Sequence, residues 1–549
     1  MNNQFYAETH EVKNVPPLLE NYNSFTSDLA LQEALKREGA DWATADVERF
    51  GQLCGSAEHL ALGAQANANK PTLSTHDRFG HRVDLIDYHP AYHRLMQTSC
   101  EHGLHSSPWC DPKPGAHVAR AAKYYLHTQV EAGHGCPVTM TFAAIPALRH
   151  QPNLLHDYGD KIMASGYDPR NIPAHEKSAL TIGMAMTEKQ GGSDVRQNTT
   201  RAFPIGQGGP GQAYELLGHK WFVSAPMSDA FLVLAQTEHG LSCFFVPRWR
   251  PDGSKNPMQI QQLKNKMGNV SNASSEVELR GAHGYMVGEE GRGVRTIIEM
   301  VAATRYDCLI GSSAGMRQAT VQAIHHCDHR AAFGATLTQQ PLMQNLLADL
   351  ALESEAAMVF MMRMARAMDH HDDEQERLLA RIATPIGKYW ICKRAPQHAY
   401  EAMEIIGGTG VMETHIMARL YREAPINAIW EGSGNVQCLD ILRAIDKEPA
   451  VLEAYFSEVA HAKGQNTHLD RLVGELKAAF ADADALPYRA RQLADRMALA
   501  LQASLLIQHA PNAVADAFCE SRLSRQVWNY GGMPRGVACV DVINRGRAE

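Results

Sequence analysis

The stretch Met184–Asp194, MAMTEKQGGSD, stands where the texture of the chain changes. Before it, apolar residues recur at helical spacing: Ala30, Leu31, Ala34 and Leu35 in one segment, Val118, Ala121, Ala122, Tyr125 and Leu126 in another. After it come short β-rich runs, FLVLAQT, LSCFFVP and SSEVEL, separated by Gly, Pro, Asn and Asp clusters. The string itself pairs Thr187 with Glu188 and then turns through Gly191, Gly192, Ser193 and Asp194. Glycine lets a backbone approach a ligand closely, and the turn offers N–H groups and hydroxyls to a heteroaromatic, phosphate-bearing molecule. Any one of these residues is more often part of an ordinary polar turn, but the full string is much less common.

Working outward from this boundary, the patterning predicts an α+β protein, mainly α. It divides into an N-terminal helical domain over 1–177, a central antiparallel β-barrel-like domain over 178–290, a helical bundle over 291–444 and a separate C-terminal helical appendage over 445–549. In the bundle, LLADLALESEAAMVFMMRMARAM places apolar residues three and four apart, which requires neighbouring helices to cover them. Its Met-rich stripe reads as core filler rather than a ligand surface. Two Gly-rich strings, GQGGPG at 206–211 and GEEGRG at 288–293, belong to no βαβ unit and read as turns, not nucleotide loops.

A chain of 549 residues exceeds one hydrophobic core and suggests three or four structural units. With 45% hydrophobic and 20% charged residues, most of it should be folded. The start MNNQFYAETH lacks the basic and apolar regions of a secretory signal, and no long uncharged apolar stretch follows, so a cytoplasmic protein with no membrane partner is expected. The 11 cysteines form no CxxC pair and are odd in number, which fits reduced thiols better than disulfides or a metal site. A net charge of −8 argues against coating nucleic acid with the whole surface, while leaving a local basic face open.

Two further strings carry chemistry. In GHKWFVSA, Phe222 and Ser224 are two apart and share one face of a strand, an aromatic plane beside a hydroxyl. Alone, such a pair is more often an amphipathic strand on a core. In INAIWEGSGN, Glu431 sits among Ile429, Trp430 and Gly432, an apolar setting that raises a carboxylate toward general-base range. Alone, a solvated helix-end Glu is commoner. His325, His326 and His329, with His370 and His371, include an i, i+4 pair, but no nearby carboxylate or Cys completes a metal shell, and they read as structural or surface residues.

Together these strings resemble the acyl-CoA dehydrogenase superfamily, as do RAAFGATLTQQPLMQNLLADL from Arg330 and EIIGGTGVMETHIMARLYRE from Glu404. The likeness is nearest to the AidB-type adaptive-response branch. It extends through QVEAGHGCPVTMTFAA, SCFFVPR and IWEGSGNVQCLDILR, and the chain continues past Arg443, where ordinary members stop.

The resemblance implies FAD, contacted by Met184, Met186, Thr187, Gly191, Gly192 and Ser193, with Phe222, Val223 and Ser224 closing over the isoalloxazine. Ile429, Trp430, Gly432, Ser433 and Asn435 would line the same cofactor. Arg330, Phe333 and Gln340 would reach the FAD of a neighbouring subunit in a homotetramer. Glu431 falls on the catalytic base. Glu404 stands where the family commonly has Gln, and a carboxylate near pyrophosphate weakens that inter-subunit contact.

The function implied is an adaptive response to DNA alkylation damage with binding of double-stranded DNA. The alternatives are a working acyl-CoA dehydrogenase, in which Glu431 removes the α-proton of an acyl thioester while hydride passes to FAD, and a binding protein with a vestigial site. Charge gives the DNA reading mixed support: residues 445–549 hold 12 Lys and Arg against 13 Asp and Glu. The run Arg377, Arg381, Lys388, Lys393 and Arg394 contains no acidic residue and could form a basic stripe with Arg443, Arg522 and Arg525, or equally a solvated face or a cofactor contact.

Overall fold

In the computed structural model, which describes residues 9–524 and 529–548, the boundary at Met184 separates helices from a barrel. The N-terminal helices include Leu29–Arg37, Pro90–Glu101, Ala116–Val130 and Gly135–Leu148. Ala30, Leu31, Ala34 and Leu35 are all buried, and Asp28 caps their helix by accepting the Leu31 N–H at 3.0 Å. One element departs from the helical expectation: β1 (Thr72–His76) and β2 (Arg82–Asp87) form an antiparallel hairpin inserted among the helices.

A buried polar chain runs through this domain. His134 Nδ1 meets Glu131 Oε2 at 2.9 Å, His134 Nε2 meets His127 Nδ1 at 3.0 Å, and His127 Nε2 meets His59 Nε2 at 2.9 Å. Glu131 also accepts the Ser271 hydroxyl at 2.8 Å, which ties the domain to the barrel. These partners hold the Glu131 carboxyl down at about 2 against the opposing effect of its burial.

The barrel comprises β3 (Ile182–Ala185), β4 (Arg201–Pro204), β5 (Ala213–Ser224), β6 (Ala230–Thr237), β7 (Gly240–Pro247), β8 (Met258–Leu263) and β9 (Ser274–Val287). β6 pairs with β7, β7 with β9, β9 with β5, β5 with β4, and β4 touches β6, so the sheet closes on itself; β3 and β8 flank the ring. Its pairings are antiparallel except that β3 and β4 run parallel to β6. GQGGPG joins β4 to β5 as a turn. GEEGRG does follow a strand and open a helix, Gly293–His329, but that helix leaves for the bundle rather than returning to a parallel strand.

Helices Gly293–His329, Pro341–Asp369, Glu374–Ile406 and Gly434–Lys447 form the bundle, and Met358, Met361, Met362 and Met364 are buried in its core. The buried pair Arg120–Asp307 fastens it to the N-terminal domain through two bonds of 2.7 and 2.6 Å. Losing one member of such a pair costs about 3–5 kcal/mol. The segment after residue 444 is no separate appendage: Leu493, Met497 and Leu501 of helix Leu486–His509 are buried in a core continuous with the bundle. Among the described residues no helix is long and apolar enough to cross a membrane, and all 11 cysteines are unpaired.

Candidate active site

Glu431 lies in the short connection between helices Ile426–Ile429 and Gly434–Lys447, with φ 57°, and Gly432 follows at φ 93°. Two consecutive left-handed residues thrust the Glu431 side chain out of the chain's path, and three side chains hold the backbone there. Lys388 Nζ donates to the carbonyls of Trp430 and Gly432, each at 2.7 Å. Arg305 Nε and Gln437 Nε2 both donate to the Glu431 carbonyl at 3.0 Å. Thr304 Oγ1 donates to Oε2 of the carboxylate at 2.7 Å. Burial raises the Glu431 pKa, opposed by the Thr304 hydroxyl and by the charges of Lys388 and Arg305.

The second half of the site is the cradle between MTEKQGGSD and β5. Trp221 N–H donates to the Thr187 carbonyl at 2.8 Å, so the two strings lie side by side. A Cβ at Gly192 would stand 2.4 Å from Thr187 Oγ1, which explains the glycine. Glu188 is a brace rather than a ligand: wholly buried, it pairs with Lys220 at 2.8 Å and accepts the N–H groups of Thr199 and Thr200. Burial lowers the Lys220 pKa to about 8. Met184, Met186 and Thr187 are half-buried, Gly191, Gly192 and Ser193 exposed, and Phe222 is 47% exposed, while Val223 points into the core. A braced strip with an open aromatic ring, half-covered methionines and a glycine-lined turn fits a flat ring with a phosphate tail, and these residues would hold FAD.

Cys136 joins the two halves. Burial raises its thiol to about 12, with the Glu431 carboxylate pushing in the same direction and the Ser224 and Asn272 side chains opposing it. Lys266 Nζ donates to Ser274 Oγ at 3.0 Å, which in turn meets Ser224 Oγ at 3.0 Å. Burial lowers the Lys266 pKa to about 8. Thr304, Arg305, Lys388, Gln437, Cys136 and Lys266 were not singled out as site residues by sequence reasoning. In the sequence Lys388 reads only as one member of a basic run, which does not foretell its burial.

The remaining expected residues are dispersed. Trp430 is half-buried, donating from Nε1 to Asn427 at 2.8 Å, whereas Ile429, Ser433 and Asn435 are exposed, Asn435 accepting from Arg491 at 2.7 Å. Arg330, Phe333 and Gln340 lie on a projecting hairpin, Ala331–Ala332 with Ala335–Thr336, whose tip residue Phe333 is fully exposed. They touch neither half of the site in this chain. The basic run does not form a free stripe: Arg377 pairs with Glu448, Arg381 with Asp440 and Arg394 with Glu353, and Lys388 is buried. Arg522 is engaged by Asp349 and Glu353, and Arg525 falls outside the described residues. His325 bonds the Pro17 carbonyl, His329 bonds the His325 carbonyl, and no group of metal ligands occurs among the described residues.

Comparison with known proteins places this geometry. Residues 14–169 match the family described as Adaptive response protein AidB N-terminal domain, 183–282 the acyl-CoA dehydrogenase middle domain and 291–445 the acyl-CoA dehydrogenase C-terminal domain. The chain is 45% identical over 533 residues to the putative acyl-CoA dehydrogenase AidB of Escherichia coli, covering 95% of this chain and 97% of that protein. It is 30% identical over 500 residues to acyl-CoA dehydrogenase family member 11 of Caenorhabditis elegans, covering 87% and 79%. The solved structure of C. elegans ACDH-11 in complex with C11-CoA superposes with a TM-score of 0.84 at 27% identity, covering 95% of this chain and 94% of that one. The chain therefore belongs to the acyl-CoA dehydrogenase family, whose members are FAD-binding flavoproteins, and within it to the AidB type.

Proposed function

We infer that the protein binds FAD between Met186–Ser193 and Phe222–Ser224 and oxidises an acyl thioester, with Glu431 as the base. One observation carries this reading: the Glu431 carboxylate has one oxygen fixed by Thr304, a backbone locked by Lys388, Arg305 and Gln437, and a pKa raised by burial. FAD, when bound, supplies the acceptor for the hydride that leaves the β carbon. Glu431 takes the proton from the α carbon, and its raised pKa brings its basicity closer to what that transfer requires. Thr304 keeps the carboxylate aimed without removing its charge.

The test is a pair of measurements. Purified protein should release FAD on denaturation, and a panel of acyl-CoA thioesters should bleach the flavin. Glu431→Gln should retain the flavin and lose bleaching by about 10²- to 10⁴-fold. A wild type that holds flavin yet is bleached by no thioester sinks the dehydrogenase reading.

Protection of DNA against alkylation, with binding of duplex, is suggested by the AidB relationship. The geometry supports it less, because three of the run's five cations, Arg377, Arg381 and Arg394, are engaged in ion pairs and Lys388 is buried, which leaves Lys393 exposed. Salt-sensitive retardation of duplex DNA by the wild type tests it, and no shift at low salt removes it. A homotetramer in the cytoplasm is the assembly that best accounts for Phe333: it is fully exposed at a hairpin tip, and Val411 and Met412 are also exposed. In a tetramer, Arg330, Phe333 and Gln340 would meet a neighbour's cofactor.

A further inference from the structure

A cavity of about 350 Å³ lies apart from the Glu431 connection, where the end of β2 and helix Pro90–Glu101 face the turn between β5 and β6. None of its walls comes from helix Gly293–His329 or from the stretch around Glu431. Yet it begins one residue from the reacting face: Ala225 follows Ser224 and Pro137 follows Cys136, and consecutive Cα atoms are about 3.8 Å apart. Ala225 takes φ 47°, a left-handed conformation that turns the chain along the cavity wall immediately after Ser224.

The lining states what would fill it. Tyr88 and Tyr92 stack at 4.3 Å and 13°, and His93 Nδ1 meets the Tyr167 hydroxyl at 2.9 Å, so two aromatic walls are held rigid. The cations are already neutralised: Lys177 pairs with Asp229 at 2.6 Å and Arg170 with Asp168 at 2.6 Å. No free cation is offered to a phosphate or carboxylate, and the Asp87 carboxylate on the wall adds negative charge that disfavours an anion. Two hydroxyls of the lining find no hydrogen-bond partner, those of Tyr88 and of Ser228, the latter 3% exposed. Burying them so costs stability unless water or a ligand bonds them. The size falls within the range of cavities that hold small organic ligands.

We propose that this cavity is the subsite for an uncharged, ring-bearing acyl tail, an aryl or cycloalkyl group carried two or three carbons beyond the thioester carbonyl, with Ser228 bonding a polar ring substituent. The proposal rests on the thioester reading above and names its substrate class. The α and β carbons lie between Glu431 and Ser224, the chain passes Cys136 and Pro137, and the ring lodges between the tyrosine walls.

Calorimetric binding of 4-phenylbutanoyl-CoA and butanoyl-CoA to the flavin-loaded Glu431→Gln protein, which holds substrate without turnover, tests it. The aryl thioester should bind about tenfold more tightly. Adding Met96→Trp, which fills the cavity from helix Pro90–Glu101, should bring the two within about twofold and leave butanoyl-CoA unchanged. Met227→Trp, from the half-buried turn, repeats the test should the first substitution disturb folding. Butanoyl-CoA bound with no aryl preference, or a preference that survives both substitutions, overturns this proposal alone. Binding of neither thioester overturns it together with the dehydrogenase reading.

Discussion

Glu431 occupies a backbone region that costs a residue with a side chain about 1–2 kcal/mol, and three side chains, Lys388, Arg305 and Gln437, donate hydrogen bonds that keep it there. The proposed base is thus aimed by its backbone before any substrate arrives. Thr304 then tunes it, because its hydroxyl bonds the charged form and lowers a pKa that burial has raised. Thr304→Val removes that bond at nearly constant volume. The base must be ionised to act, so the ascending limb of kcat/KM against pH should move to higher pH in the variant, with flavin occupancy unchanged. An unmoved limb would detach Thr304 from the base. Tryptophan, glutamate and glycine in succession made Glu431 legible in the sequence, whereas Thr304 stands 127 residues earlier and Lys388 42 residues before the carbonyl it holds. Nothing local marks such partners, since the bundle alone brings them together.

The hairpin after helix Gly293–His329 is the element that the proposed tetramer assigns to a neighbouring subunit. Phe333 sits at its tip with φ 53°, strained and unburied, while Asn14 bonds the Ala331 N–H and carbonyl to hold the hairpin upright. Phe333→Gly relieves the backbone strain and removes the ring. The protomer should melt no lower than wild type, yet mass photometry should show loss of the full oligomer and the purified protein should carry less FAD. Unchanged assembly and occupancy would assign the ring no role in either. The motif RAAFGATLTQQ drew attention to this segment by resemblance, but its hairpin was not foreseen, nor were β1 and β2. β1, TLSTH, has a single large apolar residue, Leu73, and in β2, RVDLID, the adjacent Leu85 and Ile86 break the alternation, so the period of two carried little hydrophobic signal.

Across the whole molecule, burial keeps many histidines neutral. The pKa of His59, His105 and His326 is depressed to about 4 and that of His117 and His398 to about 3. Each folded value lies below the unfolded value near 6.5, so their stabilisation is complete above about pH 6.5 and is lost as pH falls toward 4. Glu423 at about 7, Asp369 at about 6 and the raised Glu431 act in the opposite sense, but burial also depresses His93, His102, His127 and His415, so the histidines prevail. Urea midpoints should therefore fall steadily between pH 6.5 and 4; a flat profile would mean these histidines are hydrated. The tail matters at the same scale. Its charge balance was readable in sequence, but its attachment was not, because apolar periodicity does not say which core a helix joins. Truncation after Ala444 should give aggregated protein, since it strips Leu493, Met497 and Leu501 from a shared core; a soluble, cooperatively melting product would restore the separate appendage. The last described turn closes on the first helix: Arg545 bridges Glu33 and Glu355, and Arg317 donates to the carbonyls of Ser27 and Gly546. Glu33 and Arg545 are 512 positions apart, so at about 5–20 residues per second a ribosome needs roughly 25–100 s to deliver the partner that locks the first helix in place. Throughout that interval the nascent N-terminal domain lacks the ion pair that Arg545 brings to its first helix.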